Sequence, residues 1–322
     1  MNMRRIRWFV IVLSLACLLS SCGSALDFEP AQDTNDKRNI LIIGNSHSID
    51  AYWLLYDAYL DQYPNADLCL GILHYGGGNI DEHVELARKN KKVMRYYKND
   101  NGSWKTEFKV KSKDVLSDEP WDIIMMQPAK EDLADPTLNQ EGRYKLAKIV
   151  NRYVKNPHRF VWHISWPSPN DETFFSPEYV RQPPEGYKDK LTRLYGFDPV
   201  NQFSVMTEMT KKNILSDPLY SDAVCSGAAI MHAHLVQGMP QLDLWRDYTH
   251  LGDYGRLMAA YALVAQICEK PIEHVGVDLI PVNWRHKQNR DQGELVITEE
   301  MKEGIIIAAN YALESPWVIP GQ

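Results

Sequence analysis

In Ile40-Leu41-Ile42-Ile43-Gly44-Asn45-Ser46-His47-Ser48, four consecutive apolar residues run into a glycine and then into residues that cap helices. An apolar run without alternation reads as a strand buried on both faces, and such strands belong to parallel sheets covered by helices. Runs at 68–73, 123–126, 160–164 and 222–225 repeat the pattern. Segments 49–63, 80–91, 139–154 and 202–215 lie between them, with apolar residues at helical spacing. The alternation implies an α/β chain, a three-layer α/β/α sandwich around a central parallel sheet, as one domain over residues 38–322. Ligands of such sheets bind at the carboxyl ends of the strands, so the residues that follow each strand carry the functional question.

Two segments interrupt the alternation. Residues 93–110 flank Asp100-Asn101-Gly102 and read as an inserted β-hairpin, expected to be peripheral. Residues 165–199 hold six prolines and many aromatics with no clear period. So aromatic a loop is expected to be ordered, leaving the fourth sheet strand as a candidate for substrate contact, with Trp166 as a possible platform. After it, residues 254–267 and 299–313 read as helices and 278–284 as an extended piece, the last two packing beside the main sheet.

The N-terminus addresses the compartment. Arg4, Arg5 and Arg7 precede an uncharged run over residues 8–19, and Leu19-Ser20-Ser21-Cys22 closes it with small residues before a cysteine. This is the pattern of an export signal, over residues 1–21, with an apolar core shorter than the roughly 20 residues of a spanning helix. The stretch resembles a bacterial lipoprotein signal, which implies lipidation at Cys22 and attachment to a membrane of the cell envelope; an ordinary cleaved signal is the alternative. Residues 22–37 read as a polar tether. The formal charge of −7 becomes −10 once the three arginines of residues 1–21 are removed, which makes nucleic acid a poor partner. Cys69, Cys225 and Cys268 then remain, too few for a disulfide framework or a cysteine zinc site.

Ser46 follows the first strand and opens a helix, where backbone N–H groups can stabilise an oxyanion. Asn45, Ser46 and Ser48 serve equally well as helix caps. Gly76-Gly77-Gly78-Asn79 follows the second strand, and glycines there suit either an oxyanion loop or a plain turn. Gln127 follows the third strand and has an amide to donate. Asp247-Tyr248-Thr249-His250 precedes the helix-like run at 254–267, and this spacing lets the carboxylate reach Nδ1 of the imidazole and leave Nε2 for a serine. His232-Ala233-His234 face different ways on a helix without accompanying carboxylates, so no metal and no cofactor is expected. His47, His74 and His163 near strand ends read as structural histidines that can also line the cleft.

Gly44-Asn45-Ser46, Gly77, Gln127 and Asp247-x-x-His250, in that order across residues 38–270, resemble the SGNH (GDSL-type) hydrolase superfamily. The resemblance implies a flavodoxin-like fold and serine-dependent ester hydrolysis. It implies Ser46 as nucleophile, His250 as base, Asp247 as its orienter, and Ser46, Gly77 and Gln127 as the oxyanion hole. Asn45 stands where Asp is usual, and the third block lacks its Gly-x-Asn-Asp pattern, so Gln127 takes the asparagine's place. Asn45, Gly78 and Trp166 are the candidate substrate contacts. The expected substrate is a short acyl ester, acetyl above all, on carbohydrate; a lipase, thioesterase or acyltransferase of the same fold, or a non-catalytic glycan-binding lipoprotein, are the alternatives.

Overall fold

The computed structural model describes residues 38–179, 181–281 and 294–322; the signal, Cys22 and the tether lie outside them. A seven-stranded sheet forms the centre: β1 (Arg38–Gly44), β2 (Leu68–His74), β3 (Met94–Asn99), β4 (Trp104–Val110), β5 (Ile123–Met126), β6 (Arg159–Ile164) and β7 (Asp222–Cys225). Its order is β4-β3-β2-β1-β5-β6-β7. β1 is parallel to β2 and β5, and β5, β6 and β7 continue in parallel. These five strands have the flavodoxin-like order, with β1 inside. Its Ile40, Leu41, Ile42 and Ile43 are fully buried, which is why the run carries no polar residue.

The inserted hairpin, expected from the sequence to be peripheral, forms the edge of the main sheet. β3 pairs antiparallel with β2, and β4 with β3, so the hairpin widens the main sheet. Met94, Tyr96 and Tyr97 are buried, whereas the outermost strand β4 exposes most of its residues and carries Lys105 and Lys109, a charged edge that discourages pairing with another chain.

Helices sort into two groups by their contacts. Ile80–Arg88 packs on Gln140–Tyr153, and Lys130–Ala134 on Pro199–Asn213. Ser46–Tyr52, Leu55–Gln62, Ser226–Leu235 and Asp253–Cys268 form the other group. The expected single helix over 49–63 is two helices, because the Trp53 carbonyl accepts a hydrogen bond from Trp104 Nε1 at 2.9 Å where the chain breaks. Residues 254–268 of Asp253–Cys268 are all buried, the mark of a helix enclosed on every side. The helix Glu299–Glu314 lies across Asp253–Cys268 and Ser226–Leu235 rather than beside the sheet, and covers their outer surface. Among the described residues, the aromatic loop after β6 holds a 3₁₀ turn, Glu172–Phe175, and a helix, Tyr187–Tyr195.

Candidate active site

Because the five strands are parallel, the residues that follow β1, β2, β5 and β6 all emerge on one edge of the sheet. At β1 the chain turns sharply into a helix. Asn45 adopts an extended conformation, its Oδ1 accepts the His47 N–H at 3.1 Å as an N-cap, and Ser46 becomes the first helical residue. The turn needs glycine at 44, since a Cβ there would sit 2.8 Å from Gln127 Oε1 and 2.9 Å from its carbonyl oxygen.

The segment that meets Ser46 is a closed loop. Trp245 and Leu251 form a β-bridge, Arg246 N–H donates to the His250 carbonyl at 2.9 Å, and Asp247 Oδ1 accepts the N–H groups of Thr249 and His250 at 2.9 and 2.8 Å. Asp247 thereby shapes the loop that carries its own histidine. His250 Nδ1 lies 3.0 Å from both Asp247 oxygens, and Nε2 lies 2.9 Å from Ser46 Oγ. A carboxylate only accepts, so the ring proton belongs on Nδ1 and the Nε2 lone pair faces the serine hydroxyl.

Asp247 and His250 are buried. Burial works to raise the Asp247 carboxyl, but the hydrogen bond with His250 and the charges of His250, Arg181 and Arg246 outweigh it and hold the group well below the usual carboxylate range. Arg181, from the aromatic loop, donates Nη1 to Asp247 Oδ2 at 3.0 Å. The same nitrogen is 3.2 Å from His250 Nδ1, a close approach of two donors sharing one carboxylate.

A buried ionic cluster joins the two halves, which are about 200 residues apart in sequence. Arg246 Nη1 donates to Asp50 Oδ1 at 2.8 Å, Arg256 Nε is 3.7 Å from the same oxygen, and Arg256 Nη1 donates to Asp253 at 3.1 Å. Asp50 lies four residues beyond Ser46 on the same helix, so the cluster fixes that helix against the loop. Trp166 Nε1 donates to the Thr249 carbonyl at 2.9 Å, and Trp245 Nε1 to the Pro167 carbonyl at 3.1 Å. His47 bridges Thr249 Oγ1 (3.0 Å) and Ser165 Oγ (3.2 Å), with its ring 5.6 Å from that of His250. Burial, then Lys130 and His250, lower its pKa well below the ordinary histidine value, so it is neutral. Behind the loop, Lys130 Nζ donates to Ser168 Oγ at 2.5 Å; burial lowers this amine to about 7.

Four expected site residues have other duties. Gln127 faces the Ser46 turn with its acceptor: Oε1 takes the Asn45 N–H at 3.2 Å and the Ser48 hydroxyl at 2.9 Å, and Nε2 is spent on the Pro128 carbonyl. Its amide supports the turn from below rather than donating to an oxyanion. Asn45 caps the helix and donates Nδ2 to the Gly78 carbonyl at 3.1 Å, which ties the serine turn to the glycine turn instead of meeting substrate. Gly78 is buried, and its N–H closes the turn on Tyr75. Trp166 has no exposed surface, so no sugar can stack on it. Gly77 lies at an exposed bend, at φ +67°, the third position of the Tyr75–Gly78 turn, where glycine avoids strain. Among the described residues, nothing accepts the N–H groups of Ser46 or Gly77.

His83, with its pKa lowered to about 4 by burial, lies with Nε2 3.1 Å from the Gly44 carbonyl. His163, lowered to about 3 by burial, contacts Ser226 Oγ at 2.9 Å. Both are structural. His232 stacks on Tyr311 and His234 contacts the Met239 carbonyl. Arg181, Lys130 and Asp50 carried no readable signal in the sequence, since each acts only through a residue far away in the chain.

The chain was compared with known proteins. No curated protein matches it. A solved DUF4886 family protein from Bacteroides uniformis is similar in fold, at 20% identity and a TM-score of 0.66 over 88% of this chain and 97% of that one. Weaker likenesses include a putative SGNH hydrolase from Slackia heliotrinireducens (16% identity, TM-score 0.40, 71% and 98% covered) and a catalytic mutant of an acetylxylan esterase from Geobacillus stearothermophilus (10%, 0.39, 73% and 96%). The model of DUF4886, a domain of unknown function, matches residues 39–288. The chain therefore belongs to the DUF4886 family.

Proposed function

We propose that this protein is a serine esterase that removes short acyl groups, acetyl above all, from carbohydrate. The observation that carries the reading is the unbroken relay Asp247–His250–Ser46, with contacts of 3.0 and 2.9 Å between residues that only the tertiary fold brings together. His250 Nε2 takes the Ser46 proton as Oγ attacks the ester carbonyl, and Asp247 stabilises the imidazolium that forms. The uncommitted N–H groups of Ser46 and Gly77 are the candidate donors to the oxyanion. On collapse, the bond to the alcohol oxygen breaks and the alcohol leaves with the proton from His250. Water, giving a proton to the same imidazole, then attacks the acyl-Ser46 ester and releases the carboxylic acid.

Aromatic side chains beside the triad support a carbohydrate alcohol: the Tyr179 hydroxyl donates to the Arg246 carbonyl, and Tyr187 of the aromatic loop meets Tyr248, the neighbour of Asp247, edge to face. Export and lipidation at Cys22 rest on the N-terminal pattern and would place the site outside the cytoplasm, where acylated glycans occur. The test is hydrolysis of p-nitrophenyl acetate and of longer esters, with Ser46→Ala and His250→Ala beside the parent and a fluorophosphonate as active-serine label. Turnover of the acetate that both variants lose supports the assignment. A folded parent that neither turns over nor takes the label at Ser46 refutes it and favours a glycan-binding role. Labelled fatty acid incorporated by the parent but not by Cys22→Ser tests the anchor.

A further inference from the structure

Arg181 stands at the mouth of the triad with capacity to spare. Its side chain is 47% exposed, although Asp247, to which it is paired, is buried. Of its five N–H donors, Nη1 serves Asp247, and the guanidinium also lies over Tyr248, 5.9 Å from the ring centre, and within reach of that tyrosine's hydroxyl. Apart from the approach of Nη1 to His250 Nδ1, no other described residue meets its donors. The charges of Arg181 and Arg246, and the amine of Lys130, all act on Asp247, and Asp247 and Asp50 each pair with one of the two arginines. Arg246 is shared with Asp50, and Lys130 is enclosed, so of these three cations Arg181 is the most exposed to solvent.

We infer that Arg181 is a specificity residue that binds a carboxylate on the alcohol portion of the ester, so that the substrates are acyl esters of acidic sugars. The inference deepens the esterase reading and rests on it. A half-exposed guanidinium with open donors is suited to bidentate carboxylate recognition. The side follows from the reaction. The leaving oxygen must meet His250 Nε2 to collect its proton, and Arg181 stands at Nδ1 of the same ring, so we place the alcohol portion on the His250 side, with its carboxylate a sugar ring's breadth from the ester. The acyl portion lies against Ser46 and the glycine turn.

The experiment compares kcat/KM for mono-O-acetylated methyl glucuronide, mono-O-acetylated methyl glucoside and a monosuccinyl ester of methyl glucoside, in the parent, Arg181→Lys and Arg181→Gln. The parent is expected to prefer the acetylated glucuronide over the acetylated glucoside by roughly ten- to a hundredfold, the scale of a charge-assisted pair. Arg181→Gln should bring that ratio to near one, mainly through KM, and Arg181→Lys to an intermediate value. The succinyl ester, with its charge on the acyl side, should gain nothing from Arg181. A ratio near one in the parent, or one unaltered in Arg181→Gln, overturns the inference. Calorimetry with Ser46→Ala separates the two readings. If no ester is turned over, tighter binding of methyl glucuronide than of methyl glucoside, lost on adding Arg181→Gln, sustains the anion site without the esterase. Equal binding of both sugars removes it.

Discussion

Lowering the pH from 7 to 5 should cost this protein about 4 kcal/mol of stability through two histidines. His83 and His163 are buried, and in each Nδ1 has no hydrogen-bond partner. An imidazolium has two N–H donors, and neither site offers a second acceptor, so both rings are neutral. Their folded pKa values, about 4 for His83 and about 3 for His163, lie below the unfolded value of about 6.5. The unfolded chain therefore takes up two protons below pH 6.5 that the native state refuses. Stability is complete above pH 6.5 and falls as the pH drops toward 4 for His83 and toward 3 for His163. At pH 5 the difference of about 1.5 units is worth about 2 kcal/mol for each ring. Asp247 acts in the opposite part of the range, since its depressed carboxyl loses stabilising effect only below about pH 4. The assay is urea unfolding followed by tryptophan fluorescence between pH 7.5 and 5. The two rings add nearly two protons per molecule to the slope of free energy against pH below pH 6, beside the proton that neutral His47 also refuses and against the one that Asp132, raised to about 6 by burial, takes up in the native state. A flat plot through this range, with a two-state transition, would refute neutral burial of the pair.

Three further outcomes are expected. Asp247→Asn should reduce kcat by about 10⁴-fold, since an amide cannot hold the ring proton on Nδ1, and Ser46 labelling should slow in parallel; a loss below tenfold would speak against the relay. Asp50→Ala leaves the part-buried Arg246 and the buried Arg256 without their shared carboxylate and should cost roughly 3 kcal/mol in urea unfolding, with a fall in activity. Trp166→Phe loses both the bond to the Thr249 carbonyl and part of a fully buried indole. It should cost roughly 2–3 kcal/mol and lower kcat more than KM, because the tryptophan holds the loop that carries His250.

What the sequence determined by itself is local. The strands at 123–126 and 222–225 coincide with β5 and β7 to the residue, because apolar runs buried on both faces leave no alternation to misread. Ser46 and Asp247-x-x-His250 were legible because each sits where one turn of backbone defines its neighbour: a strand running into a helix, and a carboxylate three residues before its histidine. The tertiary structure decided everything that depends on distant partners. It joined the hairpin to β2, turned Gln127 to the Asn45 N–H, buried Trp166 on Thr249, and set Arg181 against Asp247. A side chain's donors, acceptors and exposure are properties of what packs around it, and a glutamine written after a strand is the same glutamine whether its amide faces substrate or supports the turn beneath.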